Sequence, residues 1–195
     1  MKIKIEISGR HCHLSLKDLE ALFGKNYRLK PLKPLSQPGQ FTSKETISVR
    51  TAAGQIDSVR ILGPTRELTQ VEISRTDANR LKINPSVRQS GDLKNSVGAE
   101  LIGPKGKIKI KEGVIIVERH VHCDPVNAKK LGLKDGQRVF VKTQGSRSTT
   151  FNNVLVRVTE NSFLALHIDV DEANATLDSN RWQKAEYGLL ITKSR

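Results

Sequence analysis

Aromatic residues are scarce in this chain, 4% in all, which leaves little material for the stacking platforms that hold single-stranded nucleic acid. Only two cysteines occur, Cys12 and Cys123. They are too few for a disulfide framework, so a reduced, cytoplasmic setting is expected. No apolar run approaches a membrane span; Val114-Ile115-Ile116-Val117 is strand-sized. Residues 1–7 alternate like a strand and lack the apolar core and cleavage site of a signal peptide. Acidic charge is also short: 33 basic residues face 20 acidic ones, a net +13 spread along the chain. That balance asks for an anionic partner, whether nucleic acid, a membrane surface or a small phosphorylated ligand.

At 195 residues the chain can build one large domain or two small ones with a real core. Segments 2–8, 45–50, 56–62, 137–142 and 153–158 alternate as strands do. Turn residues punctuate them, at Gln37-Pro38-Gly39, Gly63-Pro64, Gly103-Pro104-Lys105-Gly106 and Asp135-Gly136. Two short helices are expected. Ser15 caps one over 16–23, stopped by Gly24; Asp124-Pro125 opens the other over 125–131, closed by Gly132. The pattern predicts a mainly β protein with small helices.

Four of the five histidines lie in two short stretches, Arg10-His11-Cys12-His13 and Arg119-His120-Val121-His122. Each stretch follows a strand and precedes a short helix, and further strands come after. Val71-Glu72-Ile73 with Ala78-Asn79 then matches Leu166-His167-Ile168 with Ala173-Asn174, which places the fifth histidine, His167, opposite Glu72. A duplicated half-barrel or small barrel accounts for this. On a strand, residues i and i+2 face one way. His11 and His13 therefore project together, as do His120 and His122, with Cys12 and Val121 on the opposite faces. Two neutral imidazoles form half a site for Zn²⁺ or a similar ion, and Glu72 or His167 offers a third ligand.

Other readings compete for these residues. The histidines could be buried, hydrogen-bonded core residues. Cys12 could be a nucleophile or small buried filler, and Cys123 a spare ligand. Arg10, Arg66 and Arg119 suit phosphate or carboxylate by their planar fork, or serve as structural arginines. Val87-Arg88-Gln89-Ser90-Gly91 could form an anion-binding turn.

Several of these stretches also carry a resemblance. They are Arg10-His11-x-His13-Leu14-Ser15, Gln37-Pro38-Gly39-Gln40-Phe41, and Gly63-Pro64-x-Arg66-x-x-Thr69-Gln70-Val71-Glu72. Val87-Arg88-x-Ser90-Gly91-Asp92, Arg119-His120-x-His122 and His167-Ile168-Asp169-x-Asp171-Glu172-Ala173-Asn174 complete the set. Together, from about residue 5 to residue 177, they resemble the PduL-type phosphate acyltransferases (phosphotransacylases, the phosphate propanoyltransferase family). The resemblance implies two similar β-barrels capped by short helices, with the active site between them. Residues 10–117 would form the first barrel, the phosphate and metal side, and 118–195 with 1–9 the second. It implies two divalent metal ions, usually zinc, and transfer of a short acyl group, acetyl or propanoyl, between coenzyme A and inorganic phosphate. Carried over by position, His11 and His13 would hold one metal. His120, His122, His167 and Glu72 would serve the other, with Glu72 near both. Arg66 and Ser90 would position phosphate or the acyl substrate, and a homodimer is expected. Residues contacting coenzyme A are not identified. No amphipathic extension precedes the first strand, so packaging in a microcompartment is not expected.

Two rivals remain at this stage. A zinc metallohydrolase could use the same cluster to activate water, but it would leave the Gln-Pro-Gly-Gln and Arg66 segments without a purpose. A basic nucleic-acid or metal-binding module would use the charge, but scarce aromatics and the lack of a recognisable motif disfavour nucleic acid. A membrane partner is not expected.

Overall fold

The computed structural model describes residues 1–178 and 186–192. The chain divides into two compact units, Gly9–Val117 and Met1–Ser8 joined with Glu118–Arg195. The opening strand, β1 (Lys2–Ser8), thus belongs with the C-terminal half.

The unit Gly9–Val117 contains, in chain order, β2 (His11–His13), α1 (Leu16–Phe23), β3 (Pro31–Pro34), β4 (Phe41–Arg50) and β5 (Gln55–Gly63). It continues through β6 (Gln70–Glu72), α2 (Arg75–Leu81), β7 (Val87–Arg88), β8 (Val97–Ile102) and β9 (Lys107–Val117). Six of these strands close a ring in the order β4-β5-β2-β6-β9-β8, because β8 pairs with both β9 and β4. β3 extends the sheet beside β4, and β7 lies beside the end of β9. Period-2 alternation sets the faces. In β4, Ser43, Glu45, Ile47 and Val49 are buried while Lys44 is exposed. In β9, Ile108 and Ile110 pack on the core while Lys107, Lys109 and Lys111 face water. Helix α1 plugs the barrel with Leu19, Leu22 and Phe23. Ser15 Oγ accepts from the Asp18 N–H at 3.1 Å at its start, and Gly24, at φ 108°, ends it.

The other unit adds to β1 the elements β10 (His120–Cys123), α3 (Pro125–Leu131), β11 (Arg138–Thr143), β12 (Thr150–Val158), β13 (Ala165–Asp169), α4 (Val170–Thr176) and β14 (Glu186–Ile191). Its strands close in the order β1-β13-β10-β12-β11-β14. Among the described residues the fold is mainly β, with two closed six-stranded barrels and four short helices.

The two rings repeat one pattern. Each His-x-His strand, β2 or β10, runs parallel to one neighbour, β5 or β12. It runs antiparallel to the other, β6 or β13. That third strand runs parallel to β9 in the first ring and to β1 in the second. β9 leads directly into β10, and β1 leads directly into β2. Each barrel therefore closes with the strand that precedes the other barrel's histidine motif.

Helices α2 and α4 go beyond the two helices read from the sequence. Each has only seven residues, so their periodicity is faint. Their caps carry the signal. Ser74 accepts from the Asp77 N–H, and Asp169 with Glu172 forms a reciprocal capping box. No described helix is long and apolar enough to cross a membrane.

Candidate metal centres

Strand register assembles the first group. His11 is the Cα partner of Glu72 across β2 and β6, and His13 is the partner of Gln70. Cys12 and Val71, between them, turn into the barrel core and are fully buried. His11, His13 and Glu72 each present one donor atom, all lying within 4.8 Å of one another. The second group forms in the same way: His120 is the Cα partner of His167 across β10 and β13, with Val121 in the core. His120, His122 and His167 also bring their donor atoms within 4.8 Å. The structure thus groups Glu72 with His11 and His13, as the sequence repeat suggests; the family pattern had listed it with the other set.

A carbonyl two residues back locks the leading histidine of each pair. His11 Nδ1 lies 2.8 Å from the Gly9 carbonyl, and His120 Nδ1 lies 2.8 Å from the Glu118 carbonyl. A carbonyl only accepts, so each Nδ1 carries a proton, and each ring, when neutral, turns its Nε2 lone pair inward. His11 Nε2 lies 3.1 Å from Glu72 Oε2, and His120 Nε2 lies 3.2 Å from His122 Nε2. His13 Nδ1, His122 Nδ1 and His167 Nε2 are buried with no hydrogen-bond partner. Such orphans are costly in a protein interior. Three in two clusters of imidazoles fit ligands arranged for cations, and His11 and His120 are oriented from behind as metal-binding histidines are.

Electrostatics prepare the same atoms. Burial, with His11 and Arg66 adding repulsion, drops the His13 pKa to about 3 against the pull of Glu72. Burial, with His120, His167 and Arg157, likewise drops His122 to about 3. Both rings therefore stay neutral far into acid, as a ligand must. Burial opposes charge on both His11 and Glu72. Their mutual attraction and hydrogen bond prevail, raising the His11 pKa and holding the Glu72 carboxyl well below the usual carboxylate range.

Ser90 and Arg66 join the first group. Ser90 Oγ donates to Glu72 Oε1 at 3.0 Å and accepts from Arg66 Nη1 at 3.2 Å and Gln70 Nε2 at 2.8 Å. Gln70, which the sequence reading left out, also donates to Glu72 Oε1, and its own carbonyl accepts from the Gly91 N–H at 2.8 Å. Its signal was its place two residues before Glu72, on the same face of a short strand. The turn over 87–91 contributes Ser90 to this group, and its Gly91 amide is taken by Gln70. The Gln37-Pro38-Gly39-Gln40-Phe41 and Gly63-Pro64-x-Arg66 segments meet where Phe41 pairs with Gly63. The Phe41 ring stands 2.2 Å from where a Cβ on Gly63 would be, so glycine is required there. The Arg66 N–H then donates to the Leu14 carbonyl at 2.9 Å, tying the segment to the end of the histidine strand.

Arg10 and Arg119 take the structural option. Arg10 Nη1 donates to Asp77 Oδ1 at 2.7 Å, and Arg119 Nε lies 3.2 Å from Glu172 Oε1, with its guanidinium 5.1 Å from the Phe151 ring. Asp77 and Glu172 hold matching places in the repeat, so in each half the arginine before the motif pins the helix after the third ligand. Arg10→Ala would leave the Asp77 carboxylate, whose side chain is 6% exposed, without its cation. Stability is expected to fall by about 1–3 kcal/mol. Thermal unfolding measures the loss, and metal content should be unchanged. Cys12 fails as a nucleophile: burial first, then Asp18 and Glu72, push its thiol far up. Cys123 is buried in the core and is not among the grouped donors, so it is packing rather than a ligand.

A family model described as Phosphate propanoyltransferase matches residues 4–178, a span that includes every residue of both groups. A phosphate propanoyltransferase of Thermotoga maritima is 49% identical over 176 residues, 90% of this chain and 84% of that protein. One from Priestia megaterium is 50% identical over 177 residues, 91% of this chain and 82% of its own length. A third, from Shewanella putrefaciens, is 45% identical over 194 residues, 98% of this chain and 90% of the relative.

Proposed function

Because the chain belongs to the phosphate propanoyltransferase family, and is therefore a phosphate acyltransferase, we propose that it binds two divalent metal ions, one in each group, and moves a short acyl group, acetyl or propanoyl, between coenzyme A and inorganic phosphate. The observation carrying this is the doubled convergence of buried donors, with His13 Nδ1, His122 Nδ1 and His167 Nε2 left without partners. Zinc is the expected metal, given ligand sets of imidazole and carboxylate. Bound there, such ions would supply positive charge to orient phosphate, polarise the thioester carbonyl and stabilise the departing thiolate.

The protein's own groups complete the reading. Arg66 is braced through Ser90 against Glu72, and its fork suits a phosphate oxygen pair. Ser90 relays that placement to the carboxylate, and Gln70 holds both. The net charge of +13 suits coenzyme A, whose diphosphate and further phosphate are anionic. The free thiols of Cys12 and Cys123 agree with a reduced, cytoplasmic setting.

Release of free thiol from acetyl-CoA or propanoyl-CoA, followed with and without phosphate, tests the proposal. Thiol release should require phosphate, disappear when chelator strips the protein, and return with added zinc. Release without phosphate would favour the metallohydrolase, and full activity of metal-free protein would refute the metal's role. Arg66→Lys keeps the charge but loses the two-pronged geometry. It is expected to cut turnover on the order of a hundredfold, the scale of a misplaced reactant, with metal content intact. An unchanged dependence on phosphate concentration with normal turnover would remove Arg66 from this role.

A further inference from the structure

Gln70 stands where the second ring has an alanine. It is the Cα partner of His13 across β2 and β6, and the matching partner of His122 across β10 and β13 is Ala165. A methyl group at that place serves ring closure and the His120–His122 pair, so neither calls for a buried amide. Yet the Gln70 side chain is a full amide in a residue 1% exposed, and such burial is costly unless every polar atom is bonded. The first ring has Arg66 and Ser90 beside its carboxylate. We infer that Gln70 is a positioning residue for Arg66, holding Ser90 in place as the acceptor that aims the guanidinium. The inference rests on the reading proposed above, in which Arg66 receives phosphate.

One backbone donor fixes the direction of every hydrogen bond in this cluster. The Gly91 N–H can only donate, and it meets Gln70 Oε1 at 2.8 Å. The other end of the amide is therefore the NH2 group. Its two hydrogens go to Glu72 Oε1 and to Ser90 Oγ, the latter at 2.8 Å. Arg66 Nη1 also only donates, and it reaches Ser90 Oγ at 3.2 Å. Both lone pairs of the hydroxyl are then engaged, and its single hydrogen goes to Glu72 Oε1 at 3.0 Å. Gln70 thus grips Ser90 twice, at its hydroxyl and through the backbone amide of the next residue. The turn that carries Ser90 is held against β6 by these two bonds, and Arg66 is anchored to the turn in its place. With Gln70 gone, Ser90 keeps only Glu72 and Arg66, and the guanidinium loses a fixed anchor.

The test uses the zinc-loaded full chain, with inorganic phosphate titrated in a calorimeter and the thiol-release assay run beside it. Gln70→Met keeps the length of the side chain and removes its hydrogen bonds, and Gln70→Ala matches Ala165 of the second ring. Two replacements of different size guard against loss of the fold in either. Both should weaken phosphate binding and raise the phosphate KM by about ten- to a hundredfold. The KM for acyl-CoA and the metal content should stay at the parent's values. Arg66→Lys alone should also weaken phosphate binding. Because Gln70 acts through Arg66, adding Gln70→Met to Arg66→Lys should cost little more than either change alone. Additive losses, or unchanged phosphate binding in both Gln70 variants, would overturn the inference. An equal rise in the KM for acyl-CoA together with lost metal would also overturn it, making Gln70 a structural prop of the whole centre. If Arg66→Lys by itself leaves phosphate binding unchanged, the phosphate reading of Arg66 is refuted whatever the Gln70 variants do, and the inference goes with it.

Discussion

Glu72→Gln is expected to lower phosphate-dependent thiol release on the order of a hundredfold or more, the scale seen when a preorganised electrostatic group is removed. Three connections fail together. Glu72 Oε2 faces His11 Nε2 at 3.1 Å, while Oε1 accepts from Ser90 and Gln70. An amide carries no charge to offset a divalent ion. Turned toward Ser90 and Gln70, its NH2 group would oppose two existing donors; turned toward the histidine, it would present no anion to a divalent ion. The metal count should drop from about two per chain to about one, since His120, His122 and His167 form a separate set on other strands. Elemental analysis beside the thiol assay checks both. Two retained ions at full activity would remove Glu72 from the ligand set and leave it as the hydrogen-bond anchor for Ser90.

Deleting residues 1–8 is expected to unfold the second barrel. β1 sits between β13 and β14 and pairs with both, so its loss opens the ring and exposes two unpaired strand edges. Ile3 and Ile5, 2% and 4% exposed, leave the core at the same time; losing one such side chain typically costs about 2–5 kcal/mol. The first barrel, whose strands all come from Gly9–Val117, should persist. Limited proteolysis should yield a resistant fragment of that span, and zinc binding by His120, His122 and His167 should vanish. A truncated protein that unfolds at the parent temperature with two ions bound would contradict the strand exchange.

The ligand sets were legible for a local reason. Residues i and i+2 of a strand share a face, so His11 with His13 and His120 with His122 could be paired from spacing alone. The internal repeat then matched Glu72 to His167 without knowledge of any contact. Capping chemistry exposed α1 and α3 in the same way. Helices α2 and α4 escaped because seven residues give too little periodicity, although Ser74 with Asp77 and Asp169 with Glu172 marked their starts. Arg10 and Arg119 were ambiguous, since the same fork binds a phosphate or a helix carboxylate. Only the folded ion pairs, Arg10 with Asp77 and Arg119 with Glu172, resolved the choice.

What the sequence by itself determined is what depends on neighbours along the chain: the alternating strands, the His-x-His pairs, the caps and the duplication. The tertiary structure alone decided which strand lies beside which. Register brought His11 opposite Glu72 and His120 opposite His167. Exchange of the leading strands set β1 beside β13, and the convergence of β6 with the turn after β7 placed Gln70 on Ser90 and Glu72. Hydrogen-bonded pairing between strands far apart in sequence is directed by closure of each ring and burial of its core, and no short stretch of residues records the outcome.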